Sequence, residues 1–415
     1  MNKDKELIPE LRFPEFKNDG GWKMDTVDSL FWLQDGYPFS SKVFTKSKSG
    51  SEQVIRITDI NNHNKNPDKV FIPQNQIEDL GIENYKVHKG DLLLSLTGAA
   101  GFNFFMWDSK PGFINQRTLK LTPKEVKNES LKVLLEPLIH SMINEIGTGQ
   151  NNNLSKDSLK DIIFPFPDTE EQQKIASCLT SLDELITAHN KKLEALKDHK
   201  KGLLQNLFPQ EGETEPKIRF PEFEKDGEWV EKKLGEVGDP KMCKRIFKNQ
   251  TTPNPEGGIP FYKIGTFGKE ADAYIPDDLY NDYKENYNFP DKGDILISAS
   301  GTIGRLVIYN GEPAYFQDSN IVWLEHDHSE VKNDFLYYCY SNIKWQTSDG
   351  GVIKRLYNTD LKNISIKFPK SEDEQIKISN CVATIDAIIN EQVEKIDELR
   401  HHKKGLMQGL FPNLK

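Results

Sequence analysis

The stretch KGDLLLSLTGAAG at residues 89–101 returns as KGDILISASGTIG at residues 292–304, and this repetition decides the fold. A second repeated stretch lies further along the chain, KGLLQNLFP at residues 201–209 and KGLMQGLFP at residues 404–412. A period near 200 residues is far longer than the roughly 20 to 50 residues of a solenoid unit. The chain is therefore a tandem duplication in which each copy is a domain with an attached element.

The duplication includes the beginning of each copy. LRFPEF at residues 11–16 returns as IRFPEF at residues 218–223, and a tryptophan follows each motif, Trp22 and Trp229. The offset is 207 at the tryptophans and 203 at the KGD stretches, so insertions lie inside the copies. Between these anchors, residues 36–66 have no counterpart that can be aligned. The sequence predicts two similar frames that carry two different inserts.

The attached element is a long helix. From Ile175 and from Ile378, apolar residues recur in alternating steps of four and three, which is the spacing of a coiled-coil seam. A helix of about 35 to 38 residues would be roughly 55 Å long at 1.5 Å per residue. The N-cap candidates are Asp168 or Thr169 in the first copy and Ser371 in the second. The predicted seam residues are Leu179, Leu182, Ile186, Leu193, Leu196, Val382, Ile385, Ile389, Ile396 and Leu399.

Two interpretations of these helices stay open. A single helix of this kind is typical of a solvated amphipathic element lying on its own domain. Two helices with matching seams can instead pair antiparallel and hold two domains at a fixed separation. Polar residues occupy equivalent seam positions, His189 with Gln392 and Lys200 with Lys403. They either set the register of a helix pair or extend their polar ends into solvent.

Apolar spacing predicts a mixed α/β insert in each copy. In the first copy the predicted strands are residues 53–60, 91–96 and 118–122, with a helix over residues 129–146. In the second copy they are residues 259–264, 294–298, 306–309 and 321–324, with a helix over residues 333–346. The predicted fold class is α+β, a tandem duplication of two mixed α/β domains, each followed by a long helix.

Composition excludes several classes of protein. Of the 415 residues, 36% are hydrophobic and 28% are charged, which fits globular domains with a well-solvated surface. The longest charge-free apolar stretch, residues 92–107, is shorter than the roughly 20 residues that cross a bilayer. The first ten residues lack the apolar core of a secretory signal. Four cysteines without CxxC spacing favour a reduced, cytoplasmic protein with no membrane association.

The sequence lacks the motifs of the catalytic classes that act on DNA. It has no GxxxxGK[ST] phosphate loop, no GxGxxG after a strand and no [DNS]PP[YFW] tetrapeptide of adenine methyltransferases. A loose match to a metal-dependent nuclease, Asp291 with Glu330 and Lys332, is widely spaced, and we interpret it as chance. The glycines of residues 98–101 and 301–304 fit tight turns. The sequence predicts a non-catalytic chain with no metal site.

Six polar loops that differ between the copies are candidates for DNA contact, at residues 39–51, 58–64, 147–153, 241–252, 263–269 and 350–355. Lysine and arginine reach phosphates and guanine, whereas asparagine and glutamine pair with an adenine edge. Each loop taken singly is also typical of an ordinary solvated surface, and the net charge of −10 opposes DNA binding unless positive charge is local. The candidate DNA-binding residues are Lys42, Lys46, Lys48, Arg56, Thr58, Asn61, Asn62, His63, Gln150, Asn151, Asn152, Lys244, Arg245, Lys248, Lys263, Thr266, Lys354 and Arg355.

The repeated anchors resemble the specificity subunits of type I restriction-modification systems. In the first copy the resemblance rests on LRFPEF with Trp22, on GDLLLS followed by GAAG, and on LSKDSLKDIIFPFPDTEEQQKI leading into the long helix. In the second copy GDILIS, LYNTDLKNISIKFPKSEDEQIKI and KGLMQGLFP follow in the same order. The resemblance covers essentially the whole chain.

The resemblance implies two target recognition domains, each reading one half of a bipartite site in double-stranded DNA, separated by helices that form an antiparallel coiled coil. We place the first recognition domain at residues 1–167 and the first long helical region at residues 168–209. A linker and the second recognition domain follow at residues 210–369, and the second helical region at residues 370–415.

The resemblance also implies a division of labour with partner subunits. Two modification (methyltransferase) subunits bind S-adenosylmethionine and methylate adenine N6, and two restriction subunits supply ATP-driven translocation and Mg²⁺-dependent cleavage. No cofactor is expected in this chain. The residues alone leave two other functions open. A catalytic DNA enzyme, either a nuclease or a fused methyltransferase, would turn over DNA by itself, and a protein-binding adaptor would show no dependence on DNA sequence.

Overall fold

The structure is a computed structural model that describes residues 7–61, 67–96, 103–124, 155–343, 345 and 355–412. The chain forms two compact units, one of residues 1–190 with residues 394–415 and one of residues 191–393. The predicted boundaries at residues 167, 209 and 369 lie close to the ends of the long helices. They do not coincide with the units, because each long helix contributes one part to each unit.

The described helices are α1 Val27–Leu30, α2 Ile57–Asn61, α3 Gln74–Leu80, α4 Lys156–Lys160, α5 Thr169–Leu207, α6 Leu234–Val237, α7 Asp277–Asn286, α8 Asn333–Asn342, α9 Asn358–Asn363 and α10 Glu372–Leu410. Short 3-10 helices lie at Pro14–Phe16, Ser41–Val43, Glu83–Tyr85, Pro221–Phe223 and Lys248–Gln250.

The strands of the first unit are β1 Lys23–Thr26, β2 Phe31–Asp35, β3 Ser51–Ile55, β4 Val70–Pro73, β5 Lys86–Val87, β6 Leu92–Ser95, β7 Phe104–Met106, β8 Gly112–Ile114, β9 Thr118–Pro123 and β10 Ile163–Phe166. Those of the second unit are β11 Val230–Lys233, β12 Asp239–Lys241, β13 Gly258–Tyr262, β14 Tyr274–Pro276, β15 Ile295–Ser298, β16 Leu306–Ile308, β17 Tyr315–Phe316, β18 Ile321–Glu325 and β19 Ser365–Phe368.

The two units have matching sheet topologies, except that the first unit has one additional strand, β5. In the first unit the strand orders are β1-β10, β2-β9-β6-β7 and β4-β3-β8-β5, where β3 and β8 are parallel. In the second unit they are β11-β19, β12-β18-β15-β16 and β14-β13-β17, where β13 and β17 are parallel. The predicted fold class, a duplication of mixed α/β domains, is confirmed.

The repeated KGD stretch is a turn that leads into a strand buried on both faces. Gly90 and Gly293 have φ of 93° and 98°, a conformation that favours glycine. The following aspartate closes the turn, since Asp91 accepts a 2.8 Å hydrogen bond from the backbone N–H of His88. Both Leu92 and Leu93 are then fully buried although they face opposite sides of the strand, so the motif repeats because its strand separates two cores.

Most predicted strands and the second predicted domain helix lie where the sequence placed them. One prediction is wrong: residues 53–60 are not one strand, because β3 ends at Ile55 and α2 begins at Ile57. At the start of α2 the Asp59 carboxylate accepts a 2.8 Å hydrogen bond from the backbone N–H of Arg56, as in half of a helix capping box. The helix predicted at residues 333–346 ends at Asn342. The helix predicted at residues 129–146 lies outside the described residues.

Strand pairing aligns the inserts that the sequence could not align. The bridge between Thr45 and Phe71 has its counterpart in the bridge between Thr252 and Tyr274. The backbone N–H of Asn115 donates a 2.9 Å hydrogen bond to the carbonyl of Ile55. The equivalent bond in the second unit, also 2.9 Å, joins Gln317 to Tyr262. The loops therefore differ in residue type at equivalent places of one frame.

The long helices are each 39 residues long and pair antiparallel. In the first unit, Leu179 near the start of α5 packs in one core with Leu410 at the end of α10. In the second unit, Val382 near the start of α10 packs in one core with Leu207 at the end of α5. Of the predicted seam residues, four are buried (Leu179, Leu193, Val382 and Ile396) and six are half-buried (Leu182, Ile186, Leu196, Ile385, Ile389 and Leu399).

The polar seam residues take part in the helix pair. Lys403 lies 2.6 Å from Asp183 in the first unit, and Lys200 lies 2.6 Å from Asp386 in the second. Both lysine side chains are about a quarter exposed, at 28% and 23%. Each lysine thus makes an ion pair across the seam, which favours the interpretation that it sets the register.

Repeated anchors join each recognition domain to the start of its own long helix. Arg12 donates from Nε and Nη2 to both carboxylate oxygens of Glu171 at 2.8 Å. Arg219 makes the same two-bonded contact with Glu374 at 2.8 and 2.7 Å. The side chains of both pairs are at most 9% exposed. This buried pairing explains why the RFPEF motif and the EQ pair of each helix occur together in both copies.

Candidate nucleic-acid interface

The basic segment at residues 39–51 is held at the surface of the first recognition domain. Two backbone hydrogen bonds of 2.8 and 2.9 Å between Thr45 and Phe71 fix its middle. Lys46 lies 3.7 Å from Asp68, but both side chains are more than two-thirds exposed and such a pair contributes little. The predicted cations on this segment, all exposed, are Lys42, Lys46 and Lys48.

Arg56 and Asn61 are engaged by the protein. The Arg56 guanidinium donates from Nη2 to the backbone carbonyl of Asp68, and its Nε lies 3.7 Å from the buried carboxylate of Asp59. The side-chain carbonyl of Asn61 accepts a 3.0 Å hydrogen bond from Asn103. These contacts fix the junction between β3 and α2, so both side chains have a structural role that the sequence did not predict.

Of the predicted DNA-binding residues in the remaining loops of the first domain and in the segment at residues 350–355, several lie outside the described part of the chain. Thr58 is exposed on α2. The predicted DNA-binding residues that lie outside the described residues are Asn62, His63, Gln150, Asn151, Asn152 and Lys354.

The segment at residues 241–252 presents cations on the surface of the second recognition domain. Arg245 is 61% exposed and donates from Nε to Asp318 at 2.8 Å, which orients its guanidinium group. Lys244 lies with its Nζ 4.8 Å from the centre of the Tyr287 ring, a cation–π contact. Lys248 is exposed on the 3-10 helix that follows. This segment therefore presents three exposed cations, Lys244, Arg245 and Lys248.

Lys263, Thr266 and Arg355 take part in contacts inside the second domain. Lys263 lies 2.8 Å from Asp272, and the Thr266 hydroxyl accepts a 3.1 Å hydrogen bond from the backbone N–H of Lys263. Arg355 donates from Nη2 to the backbone carbonyl of Ser319 at 2.9 Å and is half-buried. The Thr266 hydroxyl thus closes a turn, and the Lys263 and Arg355 side chains are bound to other segments of the domain.

The sequence missed a cleft of about 960 Å³ in the first recognition domain. Its walls hold the side chains of Lys48, Lys69, Lys86, Lys89 and Lys110. Only Lys48 belongs to a loop that the sequence singled out. Of the other four, Lys86 lies in β5, and Lys69, Lys89 and Lys110 lie singly between strands. No spacing rule could have grouped them, since strand pairing brings them together.

Two residues of the loose nuclease match, Glu330 and Lys332, form ion pairs between elements. Glu330 pairs with Lys232 of β11, and Lys332 pairs with Glu372 at the start of α10. Among the described residues, no group of three histidine, cysteine, aspartate or glutamate side chains is placed to hold a metal ion. In the second copy, Gly301 and Gly304 have φ of 65° and 79°, as expected for a tight turn.

The cysteines are free thiols, and two of them are buried. Burial raises the pKa of Cys243 to about 12, and burial likewise raises the pKa of Cys339. Their thiols therefore stay protonated at neutral pH and are poor nucleophiles. Across the described parts of the chain, no helix is both long enough and apolar enough to span a bilayer.

Comparison with known proteins assigns this arrangement of two loop-bearing domains and two long helices to a family. The profile of the type I restriction modification DNA specificity domain matches the chain twice, over residues 19–198 and 226–401. The chain belongs to the type I restriction-modification specificity subunits. The two matches each contain one recognition domain and most of its long helix, so the duplication found in the sequence is a duplication of this DNA specificity domain.

Individual relatives agree with this assignment. A protein of Haemophilus influenzae named as a type I restriction enzyme specificity subunit is 37% identical over 328 residues, which cover 77% of this chain and 80% of the relative. The EcoBI specificity subunit of Escherichia coli is 24% identical over 95% of this chain and 87% of its own length.

A solved structure shares the fold. The type I restriction-modification S subunit of M. genitalium superimposes with a TM-score of 0.59 at 17% identity, covering 99% of this chain and all of that one. The specificity subunit described here thus reads a bipartite DNA site with two recognition domains on a common frame.

Proposed function

We propose that this specificity subunit supplies DNA sequence recognition, and no catalysis, to a complex with two modification and two restriction subunits. The observation that carries the proposal is the pairing of one repeated frame with two different sets of exposed loops. Because the frame is repeated, it can present two equivalent binding surfaces, one for each of two copies of the same partner. Divergent loops at equivalent places suit two different half-sites.

The cofactors belong to the partner subunits in this proposal. The modification subunits bind S-adenosylmethionine and methylate adenine N6, and the restriction subunits use ATP and Mg²⁺. The lack of phosphate-loop and methyltransferase motifs supports this division, as do Glu330 and Lys332, which serve as ion-pair partners of other elements. The complex acts in the cytoplasm, where the chromosome is the substrate.

Within each recognition domain, the loop segments that differ make the base contacts. In the first domain the segment at residues 39–51 holds three exposed lysines. In the second, the segment at residues 241–252 holds an arginine that an aspartate orients, and an oriented guanidinium can donate two hydrogen bonds to guanine.

Adenine methylation in cells tests this proposal. Cells that express the modification subunit with this chain should carry methylated adenines in one bipartite motif, and cells lacking the chain should carry none. The purified chain alone should neither cleave nor methylate DNA with Mg²⁺ or S-adenosylmethionine. Turnover by the purified chain would show a catalytic enzyme instead, and an unchanged methylation pattern without the chain would leave a protein-binding adaptor.

A further inference from the structure

The lysine cleft of the first recognition domain carries an uncompensated positive charge. Lys86 lies 2.9 Å from Glu52 and 3.6 Å from Glu83, so its charge is balanced locally. The other four cleft lysines make no ion pair or hydrogen bond through their side chains in the part of the chain that the structure describes. They are Lys48, Lys69, Lys89 and Lys110.

These lysines come from separate segments that strand pairing brings together. Lys48 precedes β3, Lys69 precedes β4, and Lys110 precedes β8, while Lys89 lies in the KGD turn. Two carboxylates, Glu52 and Asp108, also line the cleft, and Glu52 is already paired with Lys86. A concave surface with several unpaired lysines attracts an anion with several charged groups, and a DNA strand offers successive phosphates.

The second recognition domain has acidic residues at the positions of two of these lysines. The shared strand pairing places Glu312 where Lys110 lies, since each precedes a proline that leads into the parallel strand. The bridges Thr45–Phe71 and Thr252–Tyr274 likewise place Asp272 at the position of Lys69. In the KGD turn, Lys292 is the counterpart of Lys89 and keeps the charge.

The second recognition domain also has the more negative net charge. Residues 1–167 contain 21 lysines and arginines against 22 aspartates and glutamates. Residues 210–369 contain 20 lysines and arginines against 27 aspartates and glutamates. The acidic charge of the chain is therefore concentrated in the second recognition domain.

We infer that the lysine cleft binds the phosphodiester backbone of duplex DNA, so that the first recognition domain provides most of the sequence-independent attraction and the second provides little. This inference rests on DNA recognition by the assembled complex and assigns one of its components to named residues. The cleft fixes the position of the first domain on the duplex. Base contacts come from other residues of the loop segments that differ between the two domains.

The test compares two sets of charge-removing variants in the complex with the modification subunits. The cleft variant is Lys69→Gln with Lys89→Gln and Lys110→Gln. The comparison variant removes two exposed lysines of the second domain, Lys269→Gln with Lys292→Gln. Glutamine keeps a long polar side chain and removes only the charge. Binding to cognate duplex is measured from low to moderate salt, and discrimination is measured by competition with single-base variants.

The cleft variant should lower the slope of log affinity against log salt by about 2 to 3, since each lost phosphate contact removes about 0.9. Its preference for cognate over variant duplex should stay unchanged, and the second-domain variant should keep the wild-type slope. An unchanged slope in the cleft variant would overturn the inference, as would a loss of discrimination confined to the first half-site. An equal fall in slope per lysine removed in the two variants would overturn the asymmetry. If wild-type complex fails to prefer any duplex, the proposed function itself fails.

Discussion

Two arginines of the second recognition domain differ in how much of each guanidinium group the protein already uses. Arg355 is half-buried and bonds to the backbone carbonyl of Ser319. Arg245 is 61% exposed and bonds to Asp318 through Nε, which is the inner nitrogen. Its two outer nitrogens have no partner among the described residues, and they form the fork that recognises guanine. Arg245 is therefore the better candidate for base contact.

Arg245→Ala should weaken discrimination at one base pair of the second half-site by about 1 to 3 kcal/mol. Lys248→Ala, three residues further on, is the control, because a lysine that contacts only phosphate lowers affinity for all sequences alike. Competition binding of the assembled complex against single-base duplex variants separates the two effects. Wild-type selectivity in the Arg245 variant would assign base contact to another segment.

Buried and exposed ion pairs of this chain should differ in their contribution to stability. Glu374→Ala removes the carboxylate that accepts two hydrogen bonds from the buried Arg219 guanidinium, which should cost about 3 to 5 kcal/mol in free energy of unfolding. Asp168→Ala breaks the ion pair with Lys23. The Asp168 side chain is 75% exposed and that of Lys23 is 80% exposed, so the loss should cost less than about 1 kcal/mol. Denaturant unfolding of the full chain measures both, and similar losses would contradict the argument.

At the scale of elements, the antiparallel helix pair uses the same contact twice. Asp183 and Lys403 meet in the first unit, and their repeat counterparts Asp386 and Lys200 meet in the second. The contact is reciprocal because each helix carries both members, the aspartate in its first half and the lysine in its last quarter. A shift of one helix by one turn would separate the charges in both units.

Reversing one charge of this contact should destabilise the chain, and reversing both should restore it. Asp183→Lys places two cations together and should lower the free energy of unfolding by about 1 kcal/mol, since the pair is partly exposed. Lys403→Asp added to it restores an opposite-charge pair. The coupling is read from the four unfolding curves of a double-mutant cycle. Additive losses would show that the contact does not contribute to register.

At the scale of the whole molecule, the repeated frame should make the recognition domains exchangeable. Replacing residues 22–166 by the equivalent region of a related specificity subunit leaves the Arg12–Glu171 pair and both long helices in place. Only one half of the DNA site should change, while the spacing between the half-sites should persist because the helices are retained. Sequencing of methylated adenines in cells with the chimaera checks this. A change in both half-sites would contradict independent readout.

The duplication, the fold class and the long helices could be predicted from the residues alone. These features depend on local signals, such as the heptad spacing of α5 and α10, and on anchors that recur because both copies bury them, such as Arg12 and the KGD turn. The sequence also indicated exposed basic segments around Lys46 and Arg245. Hydrophobic periodicity and internal repetition are patterns along the chain, so they can be recognised without a structure.

The tertiary structure alone decided which residues share a surface and which cations are already engaged. Nothing in the sequence shows that Arg56 and Lys263 have partners. In the structure Arg56 donates to the backbone carbonyl of Asp68, and Lys263 pairs with Asp272. Conversely, Lys69 and Lys110 stand alone in sequence, and only the pairing of β3 with β4 and β8 places them on one cleft. Long-range strand pairing is not encoded in local spacing, so neither the cleft nor its loss in the second domain could be predicted from sequence.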